Sequence, residues 1–145
     1  MIMNIKIRDI NDTDLNDDLW DALEHLSPVR PICKDSAKFA FWERKEMGIR
    51  TLVALIDDKI IGTASFVIEP KFLHSGSYVC HIEDVSVNPA YCGHGVASKL
   101  IQYIIDIATK AGAYKVILDC DDALIPFYQK QGFYLNCNAM RMNIK

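Results

Sequence analysis

A glycine-rich turn between a strand and a long helix constrains this chain more than any other segment. Residues 91–98 are YCGHGVAS. The preceding residues 81–87 alternate as in a strand, and the following apolar residues recur at helical spacing as far as Gly112. Two glycines at a helix start leave backbone N–H groups uncovered, and the helix dipole favours a negative charge there by roughly 0.3–1 kcal/mol. The pattern predicts a pyrophosphate site; a helix start without a ligand is the alternative.

The spacing in this turn excludes two common pyrophosphate motifs. A P-loop has Gly-Lys-Ser/Thr five residues after its first glycine, whereas Ser98 stands five residues after Gly93. A Rossmann fingerprint has a third glycine at that position and opens the first βα unit of a large parallel sheet. Neither condition is met, so a different fold must present the turn.

Length and charge indicate one domain, 1–145, with a substantial core. The chain has 145 residues, 50% of them hydrophobic, and a net charge of −3. Its basic residues are scattered, which argues against nucleic acid as a partner. It has neither an apolar run of membrane-spanning length nor a signal-peptide pattern, so we expect no membrane association. Five cysteines without a Cys-x-x-Cys pair and four dispersed histidines predict a cytoplasmic protein with no disulfide framework and no metal site.

Hydrophobic periodicity predicts the order βααβββαβαβ. The predicted elements are a strand over 1–8, a helix from Asp12–Thr13 to Ser27–Pro28, a helix from about 35 to Gly48, strands over 50–56, 60–68 and 78–87, the long helix to Gly112, a strand over 115–120, a short helix from Asp122 to Gly132, and a strand from Phe133 onward. This order implies an α/β (α+β) fold, with a mixed central sheet and helices on both faces.

Three segments in this order resemble motifs of the GNAT superfamily of acetyl-CoA-dependent N-acetyltransferases. They are the strand with the turn 93–97, the strand over 115–120, and the aromatic segments 126–128 and 132–133. The resemblance implies the GNAT fold, acetyl-CoA as the acetyl donor and no metal.

Four longer strings narrow the resemblance to the glucosamine-6-phosphate N-acetyltransferase family. They are Lys71–His74, His81–Val85, Tyr114–Cys120 and Phe127–Tyr128, in a match that extends from about residue 60 to the C-terminus. The resemblance implies direct attack of the amine of glucosamine 6-phosphate on acetyl-CoA. It also implies a homodimer, and a product used for UDP-N-acetylglucosamine synthesis.

The same resemblance implies particular site residues. The coenzyme would be bound by the backbone of Val85, Ser86 and Val87, by the turn residues Gly93, His94, Gly95, Val96, Ala97 and Ser98, and by Tyr128 at its sulfur. The amino sugar would be bound by Ser27, Lys71, Phe72, Leu73, His74, Glu83, Asp84, Tyr114, Lys115 and Arg141, some of them from the second subunit. Asp119, Glu83 and Tyr128 would be the catalytic residues.

Two positions depart from the family pattern. Cys92 opens the glycine turn where Gln or Arg is usual, which removes one contact to phosphate. Asn143 stands where the family has an arginine for the sugar phosphate. Arg141 and Lys145 lie two residues to either side, on the same face of a strand, so either is a candidate to replace that arginine.

Acetyl transfer requires a neutral amine, and an amino-sugar amine is easier to neutralise than a lysine. An amine of pKa ~10.4 costs roughly 4–5 kcal/mol to deprotonate at pH 7, whereas one near pKa ~8 costs about 1 kcal/mol. One carboxylate acting through water then suffices as the base, and Asp119 and Glu83 are unranked candidates. Strand alternation puts Glu83 and Asp84 on opposite faces unless a β-bulge intervenes; a bulge would also free an N–H near Val85 for the oxyanion. Tyr128 would donate a hydrogen bond to the thiolate.

Several assignments have a structural alternative. Tyr128 also fits a half-buried core aromatic. Cys120 suggests an acetyl-cysteine intermediate, but it alternates with Val116 and Leu118, which favours a buried structural thiol. His74 and His81 are expected to be substrate or core contacts rather than metal ligands. The alternative functions are a GNAT enzyme for another small amine and a non-catalytic acyl-CoA-binding module.

Overall fold

Five strands form one mixed sheet in the computed structural model, which describes residues 3–145. The strands are β1 (Lys6–Asp9), β2 (Arg50–Ile56), β3 (Lys59–Pro70), β4 (Tyr78–Val87) and β5 (Ala113–Ile117), and they lie in the sheet in chain order. Strands β1 to β4 pair antiparallel, whereas β5 is parallel to β4. The sequence predicts the first strand from residue 1, but Met1 and Ile2 lie outside the described residues.

Helices connect these strands on both sides of the sheet. They are α1 (Asp17–Glu24), α2 (Lys34–Glu46), the single turn α3 (Leu73–Gly76), α4 (Val96–Lys110) and α5 (Ile125–Lys130). Within residues 3–145, no helix has both the length and the hydropathy that crossing a bilayer requires.

The first helix begins later than its sequence pattern predicts. Residues 12–14 form a separate 3-10 turn, so the predicted cap at Asp12–Thr13 is wrong. The cap is Asn16, whose side-chain oxygen accepts hydrogen bonds from the backbone N–H groups of Asp18 and Leu19. Asp14 is instead drawn towards the sheet, because Arg8 donates two hydrogen bonds to its carboxylate, at 2.6 and 2.9 Å.

The long helix α4 covers one face of the sheet and α1 covers the other. In α4, Leu100, Ile101 and Ile104 have no solvent exposure and belong to the main core cluster. In α1, Leu19 packs with Val53 of β2 in a second, smaller cluster. Burying each such side chain contributes about 1.5–3 kcal/mol, so the two apolar helix stripes fix both layers. The predicted mixed sheet with helices on both faces is confirmed.

The C-terminal part of the sheet differs from the prediction. Strand β5 ends at Ile117 rather than at residue 120, and residues 133–145 form neither a strand nor a helix. Met140, Met142 and Ile144 alternate as in a strand, yet they are 97%, 83% and 84% exposed. The predicted final strand is therefore wrong for a single chain, because a strand needs a neighbouring backbone to satisfy its hydrogen bonds and none of the five strands pairs with this segment.

The start of α4 approaches the sheet closely at Gly62 of β3. A Cβ atom at this position would lie 2.9 Å from Val96 Cγ1 and 3.2 Å from the Ser86 carbonyl oxygen. Val96 is the first residue of α4 and is 2% exposed. The absence of a side chain at Gly62 therefore lets the start of α4 pack directly against β3 and β4.

We expect Gly62→Ala to displace the start of α4. Overpacking should lower the free energy of unfolding by about 1–3 kcal/mol, measured by urea denaturation. It should also speed amide hydrogen exchange at residues 96–99. Gly48→Ala is the control: its Cβ meets nothing within 4 Å, so only the positive φ of 76° is strained, at about 1–2 kcal/mol. Unchanged exchange at 96–99 in Gly62→Ala would contradict the close-approach argument.

Candidate active site

A β-bulge interrupts β4 at the position where the sequence offers two adjacent carboxylates. Ser65 of β3 pairs with Glu83, and Thr63 pairs with Ser86. One residue of β3 therefore faces two residues of β4, and Asp84 takes up the difference with a left-handed φ of 51°. The bulge that sequence alternation left open is present in the structure.

The strands β4 and β5 separate immediately before this bulge. Their parallel pairing extends from Tyr78 and Ala113 to His81 and Ile117, where β5 ends. Within the described chain, residues 82–87 of β4 have no pairing partner on β5. The backbone groups of this half of β4 therefore remain open on the side that faces β5. An extended ligand can therefore pair with β4 here, as predicted for the backbone of residues 85–87.

Three polar side chains meet where the strands separate. His81 Nε2 lies 3.1 Å from Glu83 Oε1, and the two residues are two positions apart on β4. Asp119, from the segment that follows β5, completes the group, with one potential ligand atom of each residue within 4.8 Å of the others. The two candidate bases thus share one site, and the histidine spacing in sequence did not predict this cluster.

The glycine turn has the geometry of an open anion site. Gly93 and Gly95 have φ values of 80° and 78°, and a Cβ at either would meet nothing within 4 Å. Gly95 precedes α4, and no side chain caps the first backbone N–H groups of the helix. His94 folds back, with Nδ1 3.0 Å from the Cys92 carbonyl oxygen. The helix dipole and the uncovered N–H groups therefore face solvent together.

The first turn of α4 is also joined to the segment after α5. The Gln131 amide Nε2 donates to Ser98 Oγ at 2.9 Å. Of the other predicted coenzyme residues, Val96 is buried and Ala97 is half-buried in the same turn. The turn residues 93–98 are thus contiguous, and their binding role remains a prediction.

Tyr128 presents a buried ring with an available hydroxyl. The ring is 7% exposed and packs edge-to-face with Phe127 and Phe133, with centroids 4.9 and 5.8 Å away. Burial raises the pKa of the Tyr128 phenol, and nearby Cys120 and Asp119 raise it further. The hydroxyl thus stays protonated at neutral pH, as a hydrogen-bond donor to a thiolate must.

Cys120 has the surroundings of a structural thiol. It is half-buried against the main core cluster. Burial raises its pKa, and the negative charges of Asp119, Asp121 and Asp122 act in the same direction. Because the thiolate is the nucleophilic form, these surroundings oppose an acetyl-cysteine intermediate and favour direct attack.

The remaining predicted sugar contacts do not meet Glu83 within one chain. His74 stacks on Tyr114 with ring centroids 4.0 Å apart, and Lys115 Nζ lies 5.6 Å from the centre of the same tyrosine ring. This group adjoins Tyr78, at the start of β4. Glu83 is five positions further along the strand than Tyr78, a distance of about 16 Å. The group and the carboxylates therefore occupy different ends of β4.

The other predicted sugar contacts lie on exposed segments. Phe72 and Leu73 are 103% and 65% exposed in the same β3–β4 connection, where Lys71 Nζ pairs with Glu69 at 2.7 Å. Ser27 is exposed after α1. Arg141 is exposed in the C-terminal segment, where its Nε donates to Asn143 Oδ1 at 2.7 Å. In the described single chain, these residues do not form one binding site.

A cavity of about 580 Å³ beneath α2 reaches Asp84, and sequence analysis did not identify it. Its walls are largely apolar, and its polar end includes Arg44, Thr51 and Ser65. Arg44 donates to Ser65 Oγ at 2.7 Å and to Thr51 Oγ1 at 3.1 Å. No motif marks Arg44, because its position depends on the way α2 lies over the sheet.

The fold and the glycine turn identify the class of this protein. Residues 13–133 match the model of the acetyltransferase (GNAT) family, to which the chain belongs. It is an acetyl-CoA-dependent N-acetyltransferase, which confirms the expected fold, enzyme class and acetyl donor. A crystal structure of a Trypanosoma brucei acetyltransferase superposes with a TM-score of 0.92 at 35% identity, covering 97% of this chain and 100% of that one.

The relatives most similar in sequence have one particular activity in their names. A glucosamine 6-phosphate N-acetyltransferase of Trypanosoma brucei brucei is 36% identical over 145 residues, 99% of this chain and 98% of the relative. The glucosamine-6-phosphate N-acetyltransferase of Arabidopsis thaliana has a crystal structure with a TM-score of 0.92 at 27% identity, covering 98% of this chain and 99% of that one. These comparisons confirm the family resemblance that the sequence motifs indicate.

We expect Tyr128→Phe to reduce kcat for acetyl transfer by about 10–100-fold, the value of one hydrogen bond to a charged group. The KM for acetyl-CoA should change less than twofold, because the ring and its packing remain. Thiol release from acetyl-CoA measures both constants. Tyr103→Phe, at an exposed tyrosine of α4, is the matched control. Unchanged kcat in Tyr128→Phe would show that the tyrosine is only a core aromatic.

Proposed function

We propose that this enzyme transfers the acetyl group of acetyl-CoA to the amine of glucosamine 6-phosphate. The product would be N-acetylglucosamine 6-phosphate, for UDP-N-acetylglucosamine synthesis. The observation that carries the proposal is 36% identity, over almost the whole of both chains, with the Trypanosoma brucei brucei enzyme of that name. The arrangement of side chains where β4 and β5 separate gives this activity a chemical basis.

The carboxylate cluster supports a mechanism of direct attack. Glu83 and Asp119 lie together beside the open half of β4, where either can accept a proton from the amine directly or through water. An amino-sugar amine needs little assistance from a base, because deprotonating an amine of pKa ~8 costs about 1 kcal/mol at pH 7. Asp84, turned by the bulge, borders the cavity beneath α2 and is a candidate contact for the sugar hydroxyls.

The donor side of the site uses backbone groups and one phenol. The open edge of β4 at Val85, Ser86 and Val87 suits the amides of the pantetheine arm, and the turn at Gly93 and Gly95 suits its pyrophosphate. Ser86 is held for this task by its hydroxyl, which donates to the Ala22 carbonyl oxygen of α1 at 2.6 Å. A backbone N–H near Val85, beside the bulge, would donate to the thioester oxygen, and Tyr128 would stabilise the departing sulfur.

A homodimer would complete the acceptor side. The C-terminal segment exposes Met140, Met142 and Ile144 with the alternation of a strand that lacks a neighbour. The β3–β4 connection exposes Phe72 and Leu73 about 16 Å along the strand from Glu83. A second copy would cover both apolar surfaces, and its Lys71–His74 connection could reach the carboxylates of the first.

We expect strong discrimination among acceptors when thiol release from acetyl-CoA is measured with the purified protein. The kcat/KM for glucosamine 6-phosphate should exceed that for glucosamine by at least tenfold, because a bound phosphate adds charge-assisted hydrogen bonds of about 1.5–3 kcal/mol each. Spermidine tests the alternative of another small amine, since its amines resemble lysine.

Each outcome of this comparison has a distinct meaning. Equal or better turnover of glucosamine would contradict the phosphorylated substrate, and would show that Arg141 and Lys145 do not replace the arginine missing at Asn143. Faster turnover of spermidine would favour the alternative enzyme. Tight binding of acetyl-CoA without turnover of any acceptor would favour the non-catalytic module.

We expect sedimentation analysis of the purified protein to give a molecular mass twice that of one chain. Met142→Glu combined with Ile144→Glu should yield monomers, because burying two unpaired carboxylates in an interface is costly. The double variant should also lose turnover of glucosamine 6-phosphate while still binding acetyl-CoA. Phe39→Glu, at an exposed apolar residue of α2, is the control and should remain a dimer. A wild-type monomer with full activity would contradict the dimer.

A further inference from the structure

We propose that His81 is a positioning residue for Glu83, a role that rests on the acetyl transfer proposed above. His81 Nε2 lies 3.1 Å from Glu83 Oε1, close enough for the imidazole to orient that oxygen. The second carboxylate oxygen remains available to the amine. His81 would therefore fix which oxygen of Glu83 faces the acceptor, without touching the acceptor itself.

The strand geometry gives His81 no charged partner on the strands directly beside it. On β4, His81 and Glu83 are two residues apart and lie on the same face. The neighbours of His81 across the sheet are Val67 of β3 and Ile117 of β5, which carry no charge. The titratable groups that lie with the imidazole are Glu83, on its own strand, and Asp119, after β5. Lys115 of β5 and Glu69 of β3 both pair with Val79, so they lie on the same face of the sheet two residues further back along β4.

His81 contacts one of two neighbouring carboxylates. Glu83 and Asp119 have oxygens within 4.8 Å of each other. Two like charges this close repel, which would turn the Glu83 side chain away from Asp119 unless another contact holds it. The imidazole contact would hold Glu83 in the rotamer that keeps both carboxylates at the site.

The edge of the imidazole remains open to solvent, so the cluster can exchange protons with water. The side chain of His81 is 35% exposed and that of Glu83 is 52% exposed. This exposure also makes His81 replaceable, since truncating it leaves the buried core of β4 at Val79, Cys80 and Ile82 in place. A structural role alone would predict loss of folding, whereas a positioning role predicts loss of rate.

A double-mutant cycle with Glu83 tests this inference. We expect His81→Ala to lower kcat about tenfold in the wild-type background, comparable to the loss of a supporting contact at other catalytic groups. The same change in the Glu83→Gln background should lower kcat less than twofold, because the carboxylate that it positions is gone. An equal loss in both backgrounds would overturn the proposal.

Two further variants separate positioning from folding. His81→Gln retains an N–H donor of similar reach and should restore at least half of the lost kcat, whereas the apolar His81→Leu should not. The KM for acetyl-CoA should stay within twofold of wild type in both variants, because only the acceptor side of the site is changed. His25→Ala, at an exposed histidine after α1, is the control. Failure of His81→Gln to restore activity, with thermal stability unchanged, would overturn the proposal.

A competing explanation is that His81, Glu83 and Asp119 together bind a divalent cation. One measurement distinguishes the two explanations. Wild-type turnover is compared before and after treatment with EDTA. Unchanged turnover supports the positioning role, and loss of turnover that Zn²⁺ restores would overturn it. All variants are compared with wild type on the acceptor that wild type uses best. Failure of glucosamine 6-phosphate as that acceptor would therefore contradict the proposed substrate without deciding the role of His81.

Discussion

The separation of β4 from β5 is the constraint on which the rest of this site depends. Parallel pairing ends at His81 and Ile117, and one extra residue at Asp84 then bends β4 away from a regular ladder. These two irregularities leave backbone N–H and C=O groups without a strand partner, whereas a regular buried sheet would pair them. A ligand with amides of its own can satisfy them, so the proposed coenzyme would bind at this irregular part of the sheet.

The irregular strand is held in place by ordinary packing around it. Ser86 is tied to α1 by its hydroxyl, and Gly62 admits Val96 so that α4 starts beside the end of β4. The helix dipole of α4 therefore points at the same opening from one side. Tyr128, near Cys120 and Asp119, is part of a buried aromatic cluster. In the proposed mechanism, coenzyme and acceptor would meet at this one gap between two strands.

Much of this arrangement could be predicted from particular residues. The alternation in 81–87, the glycines at 93 and 95 and the stripe through Leu100 and Ile104 define strand, turn and helix locally, and they predicted correctly. The errors lie where a tertiary contact competes with a local signal. Asp14 is held by Arg8, so Asn16 caps the first helix instead of Asp12. The C-terminal segment has a strand pattern but no strand beside it.

The sequence by itself determined the order of the elements, the glycine turn before the long helix and the residue types available for chemistry, because these follow from periodicity and short-range backbone preferences. Only the tertiary structure decided that Glu83, Asp119 and His81 share one site, since the bulge and the early end of β5 arise from pairing between distant strands. It also decided that Arg44 of α2 reaches Ser65 of β3. Contacts between residues far apart in the chain depend on how the layers pack, and no local pattern encodes them.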